Sequence, residues 1–232
     1  MKNSKMAILG MSVALVLSLA VPASAASNRD WAQWVSHYYE APQPDLVVPA
    51  VFALSREGYF EQAGQPATAI GFLSTVFAQN PEKVAGWMRA FRELPASHQR
   101  LTAAALWYSG VPGNDRGLRA LARQSSPELR AEIEQLLARN VVPVRETPVL
   151  SESSLNLQWG AFTASGEQQH IVNTLAALGS GEAGLTSAVR NSLAQKATSH
   201  QRVYEICQAQ LANQPAGVRD QMRTALAGIR TP

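Results

Sequence analysis

The chain has one cysteine, Cys207, in 232 residues. A protein with a single thiol has no internal disulfide, so apolar packing alone must hold it, which is feasible at this length. Charge is also scarce, at 16% of residues, and it nearly cancels, with 20 basic against 17 acidic side chains. A nucleic-acid binder needs a concentrated basic face, and none is visible, so nucleic acid is excluded as a partner. Strand-type alternation is missing over any set of segments large enough for a sheet, which disfavours α/β enzyme folds. The four histidines, His37, His98, His170 and His200, show no metal-binding spacing such as H-E-x-x-H. His37 and Glu40 stand three apart on one helical segment and offer two ligands, but no third ligand is evident, so they are expected to form an ordinary helix surface. "GSGEAG", Gly179 to Gly184, lacks the following Lys-Ser/Thr of a phosphate loop and has no strand before it, so it is expected to be a flexible turn. No cofactor motif is present, and no metal or catalytic residue is assigned.

Only one long apolar run exists. Lys2 and Lys5 precede it, Met6 to Val21 is almost wholly apolar, Pro22 breaks it, and "ASA" at Ala23–Ala25 has the small-x-small form of a signal peptidase site. Residues 1–25 are therefore expected to be a signal peptide, cleaved after Ala25, leaving no stable membrane span and a periplasmic or secreted protein. Removal of two lysines leaves 18 basic and 17 acidic residues in the 207-residue mature chain.

What remains is helical. Apolar residues recur at helical spacing from Trp31 to about residue 139, as in "WAQWVSHYY" and "DLVVPAVFALSREGYF", with Pro81, Pro95, Pro112 and Pro127 punctuating the series. The rhythm stops at "NVVPVRETPVL", Asn140 to Leu150, where two prolines and β-branched residues predict an extended connection. It resumes at about residue 152 and continues to about 229. The expected organisation is an N-terminal lobe at 26–139, an extended linker at 140–150 and a C-terminal lobe at 151–232, with nine or ten short helices. In "VYEICQAQL", Cys207 lies at helical spacing with Val203, Ile206 and Leu211 and is expected to be a buried small apolar residue.

Internal similarity is the strongest signal. Phe60 precedes Gly64 by four residues, and Phe162 precedes Gly166 likewise. Ala69, Leu73 and Val76 follow the first glycine at the same offsets as Ile171, Leu175 and Leu178 follow the second. A large residue ends one helix, glycine permits the sharp turn, and the next helix packs back. "SHQR" also occurs twice, at Ser97–Arg100 and Ser199–Arg202, and each serine is expected to cap a helix. The repetition suggests equivalent corners in the two lobes. Near the second glycine, Ser165, Glu167 and His170 superficially resemble a catalytic set. No nucleophile-elbow pattern surrounds them. Ser165 is better placed as an N-cap with Gln168 at N3, and His170 on the helix surface.

"ALSREGYFEQAGQPATAIGFLSTVFAQNP", Ala53 to Pro81, resembles a tetratricopeptide-type repeat. Phe60, Gly64, Ala69, Leu73, Val76 and Pro81 stand where that motif has its tyrosine, glycine, alanine, aromatic, alanine and proline. The opening of the next repeat matches at Trp87 but fails at Pro95, and around Gly166 the match holds at Phe162, Leu175 and Leu178 while Trp159 replaces a small residue. The chain also resembles bacterial exported proteins through "WGAFTASG" and "SLAQKATSHQRV", a likeness that carries no activity. The repeat resemblance implies an all-α fold of stacked antiparallel helix pairs, an α-solenoid, and a scaffold that binds a protein or peptide partner. Trp107, Tyr108 and Trp159, close to repeat turns, are the candidate partner-binding residues. An envelope hydrolase with an unrecognised polar site, and a structural component of a secretion or surface assembly, are the alternatives. The exported protein is predicted to begin at Ala26, as read by mass spectrometry of its N-terminal peptide; a product that retains Met1–Ala25 would contradict the signal-peptide assignment.

Overall fold

The computed structural model describes residues 29–229, so the signal peptide expected at 1–25 lies outside the described residues. Among the described residues there is no strand, and twelve α-helices account for most of the chain. They are α1 (Trp31–Ser36), α2 (Val47–Arg56), α3 (Gln65–Gln79), α4 (Pro81–Ala90), α5 (Ala96–Tyr108), α6 (Asn114–Ala122), α7 (Pro127–Leu137), α8 (Glu152–Ser165), α9 (Gln168–Ala176), α10 (Ala183–Ser199), α11 (Gln201–Gln210) and α12 (Ala216–Leu226). The number exceeds the nine or ten expected, and single residues separate some neighbours: Asn80 ends α3 and starts α4, and His200 ends α10 and starts α11. No helix among the described residues is long and apolar enough to cross a membrane.

The central contact is the crossing of α3 with α8. Leu157 through Ala164 are buried without a gap, which makes α8 an interior helix rather than an amphipathic surface one. At the crossing the two backbones touch. A Cβ added to Gly71 of α3 would lie 1.9 Å from the Leu157 carbonyl oxygen, and one added to Gly160 of α8 would lie 1.9 Å from that of Thr68. The contact is reciprocal: Leu157 and Ala161 receive Gly71, and Thr68 and Phe72 receive Gly160. Apolar residues pack outward from this seam. One cluster joins residues of α1 to α7 with Ala164 of α8. A second joins Trp159 and Phe162 of α8 to residues of α9 to α12. Cys207 belongs to the second cluster; it is a free thiol whose burial pushes its pKa up to about 12.

Three local expectations change. Ser165 is the last residue of α8, not the cap of α9; its hydroxyl donates to the Ala161 carbonyl, and Gly166 turns the chain at φ +65°. A positive φ at that point permits the turn directly after Ser165, so the next helix starts later, with Glu167 at its N-cap. The two SHQR serines do not cap either. Ser97 lies inside α5 behind Pro95, and Ser199 closes α10. A side-chain capping box does occur elsewhere, at Ser151 and Ser154, opening α8. Residues 140–150, expected to be extended, hold a 3-10 turn at Val144–Glu146. Gln158, fully buried on α8, donates to the carbonyls of Val144 and Thr147 at 2.8 and 2.6 Å and fixes the connection against the crossing.

Replacing Gly71 or Gly160 by alanine should destabilise the protein by about 3 kcal/mol or more, at the upper end of overpacking costs, because backbone must shift to admit the methyl group. Gly86, exposed inside α4 with nothing near its Cβ position, should instead gain up to about 1 kcal/mol on the same change. Urea denaturation of the three variants checks both signs.

Candidate functional site

Beside the α3–α8 crossing, α1 and α10 wall off a cleft of about 370 Å³. Its lining is mostly polar: Ser36 from α1, Gln65 and Thr68 from α3, Asn156 and Trp159 from α8, and Lys196 from α10. The corner before α3 is shaped for it. Gly64 has φ +82°, and a Cβ there would come within 2.8 Å of the Asn156 amide nitrogen. Glycine is thus required twice over, for the turn and for the approach of Asn156.

Two residues that line this cleft each hold a buried polar atom with no hydrogen-bond partner within the protein, the indole nitrogen of Trp159 and the side-chain oxygen of Gln65; Tyr38, Thr75 and Trp107 hold others away from it. An unsatisfied buried group costs about 1–3 kcal/mol, so a bound group that reached either atom would recover that cost. Lys196 adds a cation. Burial lowers its pKa, and among the described residues it joins none of the ion pairs.

Of the three residues expected to bind a partner, only Trp159 reaches this cleft. Trp107 and Tyr108 pack edge-on at 4.8 Å near the end of α5, far along the chain from it and outside its lining. Trp107 is core, and Tyr108 is half-buried against the cluster of Val144, Leu157 and Ala161. Trp107 and Tyr108 end α5, whereas Trp159 lies in the middle of α8, a difference that local sequence does not show. Gln65 and Lys196 were not anticipated; neither carries a local pattern that marks it.

Ser165, Glu167 and His170 do not assemble. His170 is buried, not on the surface as expected, and its Nδ1 lies 2.7 Å from the Gln158 side-chain oxygen. Because the Gln158 amide group donates to two carbonyls, its oxygen is left to accept, and His170 carries its proton on Nδ1. Burial, aided by Arg145, pushes the His170 pKa down to about 4. Glu167 pairs instead with Arg145 at 3.4 Å.

The two SHQR histidines occupy matching places. His98 packs edge-on to Phe60 at 5.1 Å, and His200 packs edge-on to Phe162 at 6.3 Å, each phenylalanine standing four residues before its corner glycine. Their polar surroundings differ. His98 is saturated, with Nδ1 at 2.7 Å from the Ser55 hydroxyl and Nε2 at 2.7 Å from Glu61. Serine, histidine and carboxylate in a row suggest hydrolysis, but Ser55 lies within α2, where backbone N–H groups are committed to the helix and form no oxyanion hole. The row is a clamp between α2 and α5. His200 has only the Tyr39 hydroxyl, 3.4 Å from its Nδ1, and stacks at 4.8 Å on His37. Burial, followed by the charge of Lys196, pushes its pKa down to about 4. Glu40 completes a group of three with His37 and His200, their ligating atoms within 4.8 Å of one another. His37 and Glu40, expected to form a plain helix surface, thus face a third potential ligand that lies far away in sequence.

No protein-family model, curated protein or solved structure matches the chain.

His170 should make the fold acid-sensitive. Its native pKa lies below the unfolded value of 6.5, so neutral imidazole is the form the fold accepts. The stability it contributes is complete above pH 6.5 and is lost as pH falls from there to about 4, amounting to about 3 kcal/mol over that window. His200 acts in the same direction. Urea denaturation at stepped pH should show a shallower acid loss in His170→Gln than in the wild-type chain.

Proposed function

We propose that the protein is an exported scaffold of stacked antiparallel helix pairs, built in the tetratricopeptide manner, that binds a protein or peptide partner in the cell envelope through the cleft beside the α3–α8 crossing. The observation that carries this reading is that two residues lining a cleft of about 370 Å³ each hold a buried, unpartnered polar atom, a donor on the Trp159 indole and an acceptor on Gln65. An extended peptide offers carbonyl and N–H groups that complement such a pair, and the Asn156 amide offers more of both. Lys196 supplies the charge that a peptide carboxylate, at the C-terminus or on an acidic side chain, would meet. The volume is near the lower end of the range of ordinary ligand sites, about 300–1,000 Å³, so it suits a few residues of peptide rather than a folded domain. The repeat pattern and the absence of an assembled catalytic set in the sequence point the same way.

The test is capture of envelope peptides on the immobilised mature protein, followed by calorimetry with a recovered peptide. Trp159→Phe keeps the ring's bulk and removes its N–H, and should weaken binding about three- to tenfold, the range for one neutral hydrogen bond. Lys196→Gln should weaken it about tenfold or more if a carboxylate is bound. Recovery of no peptide, or affinities untouched by both substitutions, would overturn the proposal.

A further inference from the structure

We propose that His37, Glu40 and His200 form a binding site for a divalent transition-metal ion of the Zn²⁺ type, which clips the N-terminal segment onto the C-terminal lobe. The donors are two imidazoles and a carboxylate, with ligating atoms within 4.8 Å of one another. Two histidines and a glutamate are a common zinc set, and a tetrahedral ion would keep its fourth position for water or a partner's donor. The burial gradient suits such a site: His200 is buried, His37 half-buried and Glu40 exposed, so a rigid base faces a carboxylate free to rotate inward over the ion.

The second shell is in place on both histidines. The His37 Nδ1 lies 2.7 Å from the Ser36 hydroxyl and 3.2 Å from the Gln33 carbonyl, which directs its Nε2 outward as the ligand. The His200 Nδ1 faces the Tyr39 hydroxyl. Outer hydrogen bonds of this kind orient ligating imidazoles. The backbone supports the geometry too. A Cβ on Gly166 would lie 2.8 Å from the Tyr39 ring, so the residues between His37 and Glu40 rest directly on the corner that α8 makes.

The comparison with His98 sharpens the argument. His98 and His200 are the same corner histidine in the two lobes, each set against its phenylalanine. The residues that saturate His98 are Ser55 and Glu61. The residues 102 positions later, the same offset as from His98 to His200, are Leu157 and Thr163. One copy of the corner has its imidazole satisfied from within. The other has lost both partners, yet it holds its ring against a second histidine and a carboxylate. Lys196 and Arg202 lie nearby and oppose a cation, so the affinity should be moderate, on the order of micromolar.

Calorimetry of the mature chain, stripped with chelator and desalted, should show one equivalent of Zn²⁺ bound. His37→Ala and Glu40→Gln, neither fully buried, should each weaken it by about tenfold or more. Added Zn²⁺ should raise the thermal midpoint of the wild-type chain and not that of His37→Ala, and Co²⁺ should give the visible absorption of a tetrahedral complex only when His37 is present. Lack of saturable Zn²⁺ binding, or binding that survives both substitutions, would overturn the proposal.

Discussion

Everything in this fold is arranged around a place where two helix backbones touch. Gly71 and Gly160 each press against the other helix's carbonyl groups, and neither position has room for a side-chain atom. Helices that meet through side chains stand apart and leave their flanks exposed between them. Here the close approach lets α8 run through the interior, bury nearly all its length, and contribute to the apolar clusters on either side. The connection at 140–150 is held to the same helix by Gln158, and the cleft that contains Trp159 lies along its side. Core, connection and cleft are all consequences of one contact.

The two corner histidines show how one structural device supports different outcomes. Around Phe60 and Phe162 the chain solves the same packing problem with the same residues. A buried imidazole must still dispose of its ring nitrogens, and the two corners do so differently. In the first, a hydroxyl and a carboxylate complete the ring and lock α2 to α5. In the second, the polar completion comes from the N-terminal segment, which lies across the corner and brings Tyr39, His37 and Glu40 with it. A packing motif thus becomes a cluster of potential ligands through a change in its neighbours alone.

The helices and their breaks were legible from the sequence, because 3.6-residue periodicity and proline punctuation are local signals. The glycine corners were legible as well, since Gly64 and Gly166 recur with the same apolar residues around them. The crossing was not. Gly71 and Gly160 look like ordinary weak points inside helices, and only a partner far along the chain reveals their purpose. For the same reason His170 was placed outside: its partner Gln158 sits on another helix, and neither residue's type predicts burial. The cap at Ser165 failed by two residues, because serine and glycine at a helix joint serve equally well as an end or a beginning. Trp159, the misfit with the repeat pattern, lines the cleft, while Trp107 and Tyr108 lie outside its lining.

The crossing also sets an order of assembly. Gly71 and Gly160 are 89 positions apart, and α1 to α7 are complete before the residues of α8 exist or arrive. Until then the glycine face of α3 has no counterpart. The step that organises the molecule is therefore a non-local loop closure, whose entropy is recovered only when both ends are present. The first half of the chain holds an apolar cluster of its own, but the face of α3 that carries Gly71 is covered only when α8 docks.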